Sequence, residues 1–379
     1  MRQFFNEQQE MLRKTVKRMA REKIAPIAAE IDEKREFPKY ILDIFHEMGL
    51  MTITVPEEYG GMGGGVTDVS IVLEEIAKES GSLAGLPFGN LFLTTALRNA
   101  GSQEQRERFY SKLVKNQCLV AFCISEANAG SDVASIKSRA VLEGDNYIIN
   151  GTKQFISNAS GADLFIILAS TDPSQKGNGL SIFILQKNYS GLSIGKKEMK
   201  MGIRGIPSNE VILENVHVPK ENRLGEEGHG FVIAMGVLDW TRLGIGAWAV
   251  GLAEGALDYA LNYAKEREAF GQPIAMFQGL QFMLADMAMQ VEAARSLVYL
   301  TAARLDGGEE NLNKYTSMCK CFATDVAMKV CTDAVQVLGG YGYMQEYPVE
   351  RMMRDAKGLQ ILEGTSQIQR VVIAKELFS

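Results

Sequence analysis

The first part of the chain carries apolar residues at near-helical spacing. These positions are Met11, Val16, Met19, Ile24 and Ile27. Such spacing predicts amphipathic helices, and Pro26 marks a kink or a restart because proline removes a backbone donor. Similar patterns predict further helices at 66–79, 91–99 and 103–113. Together they predict an N-terminal helical domain over residues 1–118.

The pattern then changes to short apolar runs and strict alternation. Strands are predicted at 119–124, 147–149, 152–156, 164–169, 180–185 and 211–218. Asn150-Gly151 separates two of these runs, and this pair is favoured in two-residue primed turns, so it predicts a β-hairpin. The pattern therefore predicts a middle β domain, a barrel or a sandwich, over residues 119–225.

Helical spacing returns in the last part of the chain, where alanine, leucine and methionine are frequent. Helices are predicted at 231–267, 278–305, 313–338 and 366–377. Long helices joined by modest loops predict a C-terminal four-helix bundle over residues 226–379. The predicted fold class is thus α+β with three domains. The apolar faces exceed what one bundle buries, which favours burial between subunits.

Length, composition and charge limit the class of protein. A chain of 379 residues exceeds one ordinary core, and 46% apolar with 23% charged residues is a globular balance. The net charge of −6 argues against nucleic acid as a partner, since phosphate binding needs a basic surface. The N-terminus becomes charged too early for a signal peptide, and no apolar run has the length of a membrane span. A cytoplasmic protein without an integral membrane segment is expected.

The cysteines and histidines carry no recognisable catalytic or metal-binding spacing. The five cysteines form no C-x-x-C pair, which predicts buried free thiols in a reducing compartment. The three histidines are scattered singly, so neither a metal site nor a histidine-based nucleophile is predicted. Chemistry is therefore expected from carboxylates or from a cofactor.

Glu363 is the best candidate for such chemistry. It follows the apolar pair Ile361-Leu362 and precedes Gly364, and poor hydration there raises the pKa of a carboxyl toward the range of a general base. The alternative is a surface glutamate in a C-terminal loop. Ser366 and Gln369 stand at capping-box spacing and predict a last helix, whose start is suited to an anionic or electron-rich ligand.

Two glycine-rich segments resemble nucleotide-binding motifs only superficially. The segment 60–65 lacks a following Lys-Ser/Thr, so a mobile loop is favoured over a phosphate cradle. The segment 244–249 fits G-x-G-x-x-A, but it lies inside a helical pattern with no strand before it. Close helix packing is the favoured interpretation of its small residues.

Four separated motifs carry a family resemblance. They are F-C-I-S-E-A-N-A-G-S-D at 122–132, R-E-A-F-G at 267–271, Q-V-L-G-G-Y-G at 336–342 and L-E-G-T-S-Q at 362–367. Together and in this order they resemble the acyl-CoA dehydrogenase family, in its short- and medium-chain branch. The resemblance covers essentially the whole chain. The chain departs from the family at Ala127-Asn128, where Pro-Gly is usual, and at Phe155, where Trp is frequent.

The resemblance implies FAD as the cofactor. Phe122, Ile124 and Ser125 would lie along the flavin, and Phe155 and Ser157 beside its reactive nitrogen. The remaining implied FAD contacts are Arg267, Phe270 and Gln278 at the pyrophosphate and adenine, Gln336, Gly339 and Gly340 from a neighbouring subunit, and Thr365 and Gln367.

The resemblance also implies the reaction and its partners. Glu363 would remove the C2 proton of an acyl-CoA thioester, and the C3 hydride would pass to flavin N5, giving the 2-enoyl-CoA. Electrons would pass to an electron-transfer flavoprotein, and the chain would form a homotetramer. Some members place the base at the position of Thr241, where threonine is unable to serve. The implied substrate contacts are Ser131, Asp239, Arg242 and Gly364.

Two alternatives to a dehydrogenase stay open, and so does the identity of the acyl group. An acyl-CoA oxidase would use O₂, and a non-catalytic member would merely keep the fold. No Lys or Arg lies between Glu79 and Leu97, which argues against a substrate with a distal carboxylate. Apolar residues in that segment favour an apolar acyl tail, and they are Leu86, Phe88, Leu91 and Phe92. Its length, branching or cyclic nature does not follow from the sequence.

Overall fold

Helices make up the N-terminal part of the computed structural model, which describes residues 5–115 and 117–378. They are α1 Glu7–Met19, α2 Ala28–Lys34, α3 Lys39–Glu47, α4 Val66–Glu79, α5 Gly85–Ala100 and α6 Gln103–Lys115. The chain departs from α-helical geometry between α1 and α2, in a π-helical turn at Ala20–Ile24 and a 3-10 turn at Ala25–Ile27. Pro26 lies in this break, as predicted, because it lacks the N–H that a continuous helix would use.

The middle part of the chain forms one mixed sheet. Its strands are β1 Val120–Cys123, β2 Arg139–Glu143, β3 Asn146–Ser157, β4 Leu164–Ser170, β5 Leu180–Gln186, β6 Leu192–Lys197, β7 Ser208–Pro219 and β8 Arg223–Leu224. The strand order is β6-β7-β3-β2-β4-β5-β8, and β1 pairs with β4 in parallel. All residues of β4 are buried, which explains its continuous apolar sequence.

The predicted hairpin at Asn150-Gly151 is wrong. Strand β3 continues through both residues, and the chain reverses instead at Gly144-Asp145, between β2 and β3. The register against β7 shifts at Gly151, which marks a β-bulge. A Cβ on Gly151 would lie 2.2 Å from Ser138 Oγ, so glycine is needed there for a close approach of the backbone.

Helices return in the C-terminal part. They are α7 Gly230–Glu266, α8 Gln278–Asp306, α9 Asn313–Leu338, α10 Pro348–Ile361 and α11 Ser366–Phe378, with a small hairpin of β9 Glu268–Ala269 and β10 Gln272–Pro273. The order of helices, sheet and helices confirms the predicted fold class. Helix α10 was not predicted, because its charged residues and Gly358 obscure the apolar spacing.

Helix α7 is the central helix of the C-terminal part. Among the described residues it is the one helix long and apolar enough, by length and composition, to cross a membrane. It packs against α4, α5, α8 and α9, so protein covers most of its apolar surface. A Cβ on Gly244 would meet Leu73 and Phe88 within 3.4 Å. The glycines of the 244–249 segment therefore serve helix packing, as the sequence pattern favoured.

Candidate active site

Glu363 lies in a tight turn between α10 and α11. Its φ is +59°, and that of Gly364 is +86°, so both residues adopt the left-handed conformation. A non-glycine residue with this φ is uncommon and has to be held by its surroundings. The Gln369 side-chain amide donates to the carbonyl oxygens of Glu363 at 3.2 Å and of Gly364 at 3.0 Å. A Cβ on Gly364 would lie 2.8 Å from Gln369 Nε2, so this arrangement requires glycine.

The carboxylate of Glu363 faces helix α7. The Thr241 hydroxyl donates to Glu363 Oε2 at 2.9 Å. Burial raises the pKa of Glu363 to about 7, and the Thr241 hydrogen bond with the charges of Arg242 and Lys320 opposes that rise. This direction agrees with the prediction from the apolar neighbours. A carboxyl with such a pKa is suited to proton transfer near neutral pH.

The predicted capping box of Ser366 and Gln369 at the start of α11 is wrong. Thr365 caps the helix instead, because its hydroxyl accepts from the Ile368 N–H at 3.2 Å. Ser366 is buried, and its hydroxyl donates to Asp325 of α9 at 3.4 Å. Gln367 is exposed on the first turn. Of the predicted site residues, Gly364 directly follows Glu363 and Thr365 comes next in the chain.

The predicted substrate contacts Asp239 and Arg242 lie one helical turn apart on α7 and form an ion pair. Arg242 is buried, and its Nε has no partner among the described residues. Burial raises the pKa of Asp239, and the charge of Arg242 opposes that rise. Since Arg242 also acts on Glu363, these groups belong to one region. The fourth predicted substrate contact, Ser131, lies exposed in the loop after β1.

The segment after β1 is fixed by a buried lysine. Lys153 of β3 donates to the Ile124 carbonyl at 3.1 Å and to Glu126 at 2.8 Å. Ile124 is buried, and Ser125 is half-buried and accepts the backbone N–H of Gln154. Phe122 is half-buried and stacks on Phe92 with ring centroids 4.5 Å apart. The segment predicted to lie along the flavin is therefore held by the hydrogen bonds of Lys153 and of the Gln154 backbone.

Phe155 and Ser157 are both exposed on β3. Phe155 has a φ of +61° and 61% exposure, and it lies where the register against β7 shifts again. The bulge turns this aromatic ring outward instead of into the sheet. The outward Phe155 ring and the exposed Ser157 hydroxyl together are suited to a flat ligand with polar edges.

A second group of predicted site residues lines one open cavity. Arg267, Gln336, Gly339 and Gly340 border a cavity of about 660 Å³, together with Tyr263 and Tyr341 among others. The resemblance assigned Arg267 to one subunit and the other three to its neighbour. The structure brings all four together on one chain, because α9 ends beside the end of α7. All four therefore border one cavity of this chain.

Phe270 and Gln278 lie outside that lining. Phe270, at the tip of the β9–β10 hairpin, is 97% exposed, with a φ of +53°. Gln278 is exposed at the first turn of α8. Both side chains are exposed, and the Phe270 ring packs edge-on against Phe277 with ring centroids 5.9 Å apart. The structure does not bring them into contact with Glu363.

The residues present fit a flavin dinucleotide. Arg267 supplies a cation for a pyrophosphate, and its guanidinium lies 5.5 Å from the Tyr341 ring centroid. A Cβ on Gly339 or Gly340 would meet nothing within 4 Å, so the cavity is open along this backbone. Exposed aromatic rings, an exposed hydroxyl and bare glycine backbone together match a large ligand with ring and phosphate parts.

Two supporting residues escaped the sequence interpretation. Gln369 was assigned to a cap but holds the Glu363 turn, and Lys320 of α9 donates to the carbonyls of Gln360 and Gly364. A signal for Lys320 exists in the sequence. It lies four residues after Thr316 and seven before Ala327, on the buried side of α9. A lysine on such a face calls for a specific partner.

The chain is similar to known proteins along nearly its whole length. Family models described as the N-terminal, middle and C-terminal domains of acyl-CoA dehydrogenase match residues 6–117, 121–216 and 228–378. Proteins built from these three domains are flavoprotein oxidoreductases. This chain belongs to the acyl-CoA dehydrogenase family, and the resemblance carried by the four motifs is confirmed.

Three relatives illustrate the similarity. Cyclohex-1-ene-1-carbonyl-CoA dehydrogenase of Syntrophus aciditrophicus is 45% identical over 372 residues, covering 98% of this chain and 90% of that protein. The structure of butyryl-CoA dehydrogenase from Megasphaera elsdenii has a TM-score of 0.96 and 40% identity, covering 99% of both chains. A structure of the electron transferring flavoprotein of Acidaminococcus fermentans contains a chain with a TM-score of 0.96 and 44% identity, covering 98% of both chains.

Proposed function

We propose that this chain is an FAD-dependent acyl-CoA dehydrogenase in which Glu363 removes the C2 proton of an acyl-CoA thioester, giving the 2-enoyl-CoA. The observation that carries this proposal is the state of Glu363. It is a desolvated carboxyl with a pKa of about 7, bonded to Thr241 and held in a left-handed turn. Strain of this kind is retained where it serves a function.

The base alone is insufficient for the reaction. The C2 proton of a thioester is a very weak acid, so the thioester oxygen has to be polarised as charge develops. The backbone N–H of Glu363 has no acceptor among the described residues, and it is the donor we assign to that oxygen. Asp239 and Arg242 are assigned to the polar arm of the substrate, with Ser131 farther along it. The same turn thus positions the base and the donor.

FAD, when bound, supplies the acceptor for the hydride that leaves C3. We assign its binding to the residues of the two surfaces described above and to the first turn of α11. These are Phe122, Ile124, Ser125, Phe155, Ser157, Arg267, Phe270, Gln278, Gln336, Gly339, Gly340, Thr365 and Gln367. Arg267 with the glycine backbone of 339–340 is suited to the phosphates, and Phe155 with Ser157 is suited to the flavin edge.

The acyl group is proposed to be small and uncharged, either short and straight or cyclic. Phe88 of α5 packs edge-on against Phe92 and Trp248, with ring centroids 5.3 and 5.8 Å away. Large rings in a segment without Lys or Arg favour a compact apolar pocket. The names of two relatives, a butyryl-CoA and a cyclohexene-carbonyl-CoA dehydrogenase, agree with this size.

The proposed electron acceptor is an electron-transfer flavoprotein, supported by the similarity to the Acidaminococcus fermentans structure. A homotetramer is proposed because large apolar side chains of the C-terminal helices are exposed, including Phe282, Met289, Leu300 and Val371. A cytoplasmic location is proposed because all five cysteines are buried and free, as the sequence predicted.

The test is an anaerobic absorption titration of the purified protein with straight, branched and cyclic acyl-CoA thioesters. Bleaching of a flavin band by one thioester is the expected result. Glu363→Gln should keep the flavin band and ligand binding but lose at least about 10³-fold in bleaching rate. A near-native rate in this variant would exclude Glu363 as the base. Rapid peroxide formation in air would favour an oxidase, and purification without flavin would favour a non-catalytic member.

A further inference from the structure

Lys320 of α9 is fully buried, with 0% exposure of its side chain. Its ammonium donates to the Gly364 carbonyl at 2.8 Å and to the Gln360 carbonyl at 3.3 Å. These carbonyls lie on either side of Glu363, one after it and one in the last turn of α10. Among the described residues no carboxylate lies within ion-pair distance of the Lys320 ammonium.

A buried amine without a paired carboxylate is costly, so its retention needs a reason. Burial lowers the pKa of Lys320 to about 8, and the negative charge of Glu363 is the largest influence opposing that fall. Cys321 and Asp325 oppose it less, and Arg242 adds to it. Glu363 in turn faces the charged groups Arg242 from α7 and Lys320 from α9.

Lys320 is not needed simply to attach this segment to α9. Asp325 accepts from Gln360 Nε2 and from Arg370 Nη2, both at 2.7 Å, and so joins α9 to α10 and α11. The Gly364 carbonyl also retains its bond from Gln369. Removal of the Lys320 ammonium therefore leaves the helices joined, and the Gly364 carbonyl keeps a partner.

We infer that Lys320 is a positioning residue for the base: it fixes the left-handed turn of Glu363 through two carbonyls and places a positive charge beside the carboxylate. This inference rests on the proposed role of Glu363. The positive charge favours the ionised, proton-accepting form of Glu363 and so keeps its pKa from rising above neutral. The carbonyl contacts restrict movement of the turn and so keep the Glu363 carboxylate in a fixed orientation toward the substrate.

The test compares Lys320→Met, which removes both donor and charge, with Lys320→Gln, which keeps a donor but no charge. Lys329→Met is the matched control, because Lys329 is an exposed residue of the same helix that pairs with Asp333. Four quantities are measured: kcat and KM as functions of pH, the thermal midpoint, the flavin content, and deuterium exchange of the backbone amides at 360–366.

In Lys320→Met we expect kcat to fall by about tenfold to a hundredfold with little change in KM, because a base displaced by an ångström loses this much. The acid limb of the pH profile should move up by a fraction of a pH unit, less than on loss of the Thr241 hydrogen bond, because a nearby cation no longer favours the carboxylate. Exchange at 360–366 should accelerate. Lys320→Gln should show the same upward displacement of the limb, and Lys329→Met none of these changes.

Lys320→Met with a native acid limb and native exchange would overturn the inference. A variant in which kcat and the thermal midpoint fall together, while the acid limb of the pH profile stays in place, would also overturn the inference. That result would show that Lys320 has a purely structural role. If the Met variant does not fold, the limb of Lys320→Gln decides in the same way. Failure of the proposed function is separate, because it shows in the native protein as a flavin that no thioester bleaches.

Discussion

Two fully buried lysines, Lys153 in the sheet and Lys320 in the helical part, differ in how their charge is balanced. Each donates to a backbone carbonyl beside a site segment, Ile124 for the first and Gly364 for the second. Lys153 also has the carboxylate of Glu126 at 2.8 Å, whereas Lys320 binds carbonyls alone. The charge of Lys153 is neutralised by Glu126, so this pair mainly stabilises the fold. The charge of Lys320 has no paired carboxylate in the part of the chain that the structure describes, so it can influence the ionisation of nearby groups such as Glu363.

The two carboxylates nearest these lysines show the same contrast. Burial would raise the pKa of Glu126, but Lys153 and the hydrogen bonds of Ser138 and Lys137 lower it instead. Glu363 keeps a pKa raised to about 7, because the opposing interactions are too few. Glu126 therefore stabilises the fold in its ionised form, and Glu363 does not. A carboxyl that costs stability when ionised is common where proton transfer is the task.

The largest effect on stability is expected from breaking the balanced pair. Lys153→Met leaves Glu126 buried without its counter-charge, which should cost about 3–5 kcal/mol of unfolding free energy. Denaturant titration measures this loss, with Lys196→Met as a control on an exposed strand position. Replacing both partners, as Lys153→Met with Glu126→Leu, should recover part of it, because no unpaired charge remains. A loss of unfolding free energy below about 1 kcal/mol in Lys153→Met would show that Lys153 is not held by a stabilising charge pair.

The effect of intermediate size concerns the pH dependence of stability. Between about pH 4.5 and 7 the folded chain keeps a proton on Glu363 that the unfolded chain releases, so this residue lowers stability as pH rises. Glu363→Gln removes that dependence. Its unfolding free energy relative to the native chain should therefore be higher at pH 8 than at pH 5, by about 2 kcal/mol. Equal differences at the two pH values would mean that the carboxyl is ionised throughout.

The smallest effect is expected at the hydrogen bond that Glu363 receives from α7. Thr241→Val keeps the side-chain shape but removes the donor, at a cost of about 1 kcal/mol in carboxylate stabilisation. The acid limb of kcat/KM should move up by less than about one pH unit, since 1.4 kcal/mol corresponds to one unit. Steady-state kinetics over pH 5–9 measures this change. A limb that moves down would contradict the direction of the Thr241 contribution.

The sequence predicted the regular elements well where a single apolar period was unbroken. Helices α4 and α9 have the predicted limits, because local spacing alone determines their faces. The pair Asn150-Gly151 led to a wrong hairpin prediction, because turn-forming residues also occupy β-bulges. Only the pairing with a partner strand distinguishes a turn from a bulge. Helix α10 was missed for lack of a clean apolar stripe.

The candidate site was predictable in its chemistry but not in its support. Glu363 is marked by its apolar neighbours and by its motif, both of which are local in sequence. Lys320 and Thr241 act on it through contacts that depend on how α7 and α9 pack against the Glu363 turn. Lys320 is 44 residues from Gly364 along the chain, and Thr241 is 122 residues from Glu363. Local spacing carries no information on such contacts.

The buried thiols provide a way to compare how often the segments around Lys153 and Lys320 open. Burial raises the pKa of the thiols of Cys123 and Cys319, so neither is a reactive thiolate in the folded state. Each can react with a thiol reagent only when its segment opens. Cys123 lies at the end of β1 beside the Lys153 support, whereas Cys319 and Cys321 flank Lys320 on α9. The labelling rates of these thiols therefore report how often each support opens in the native protein.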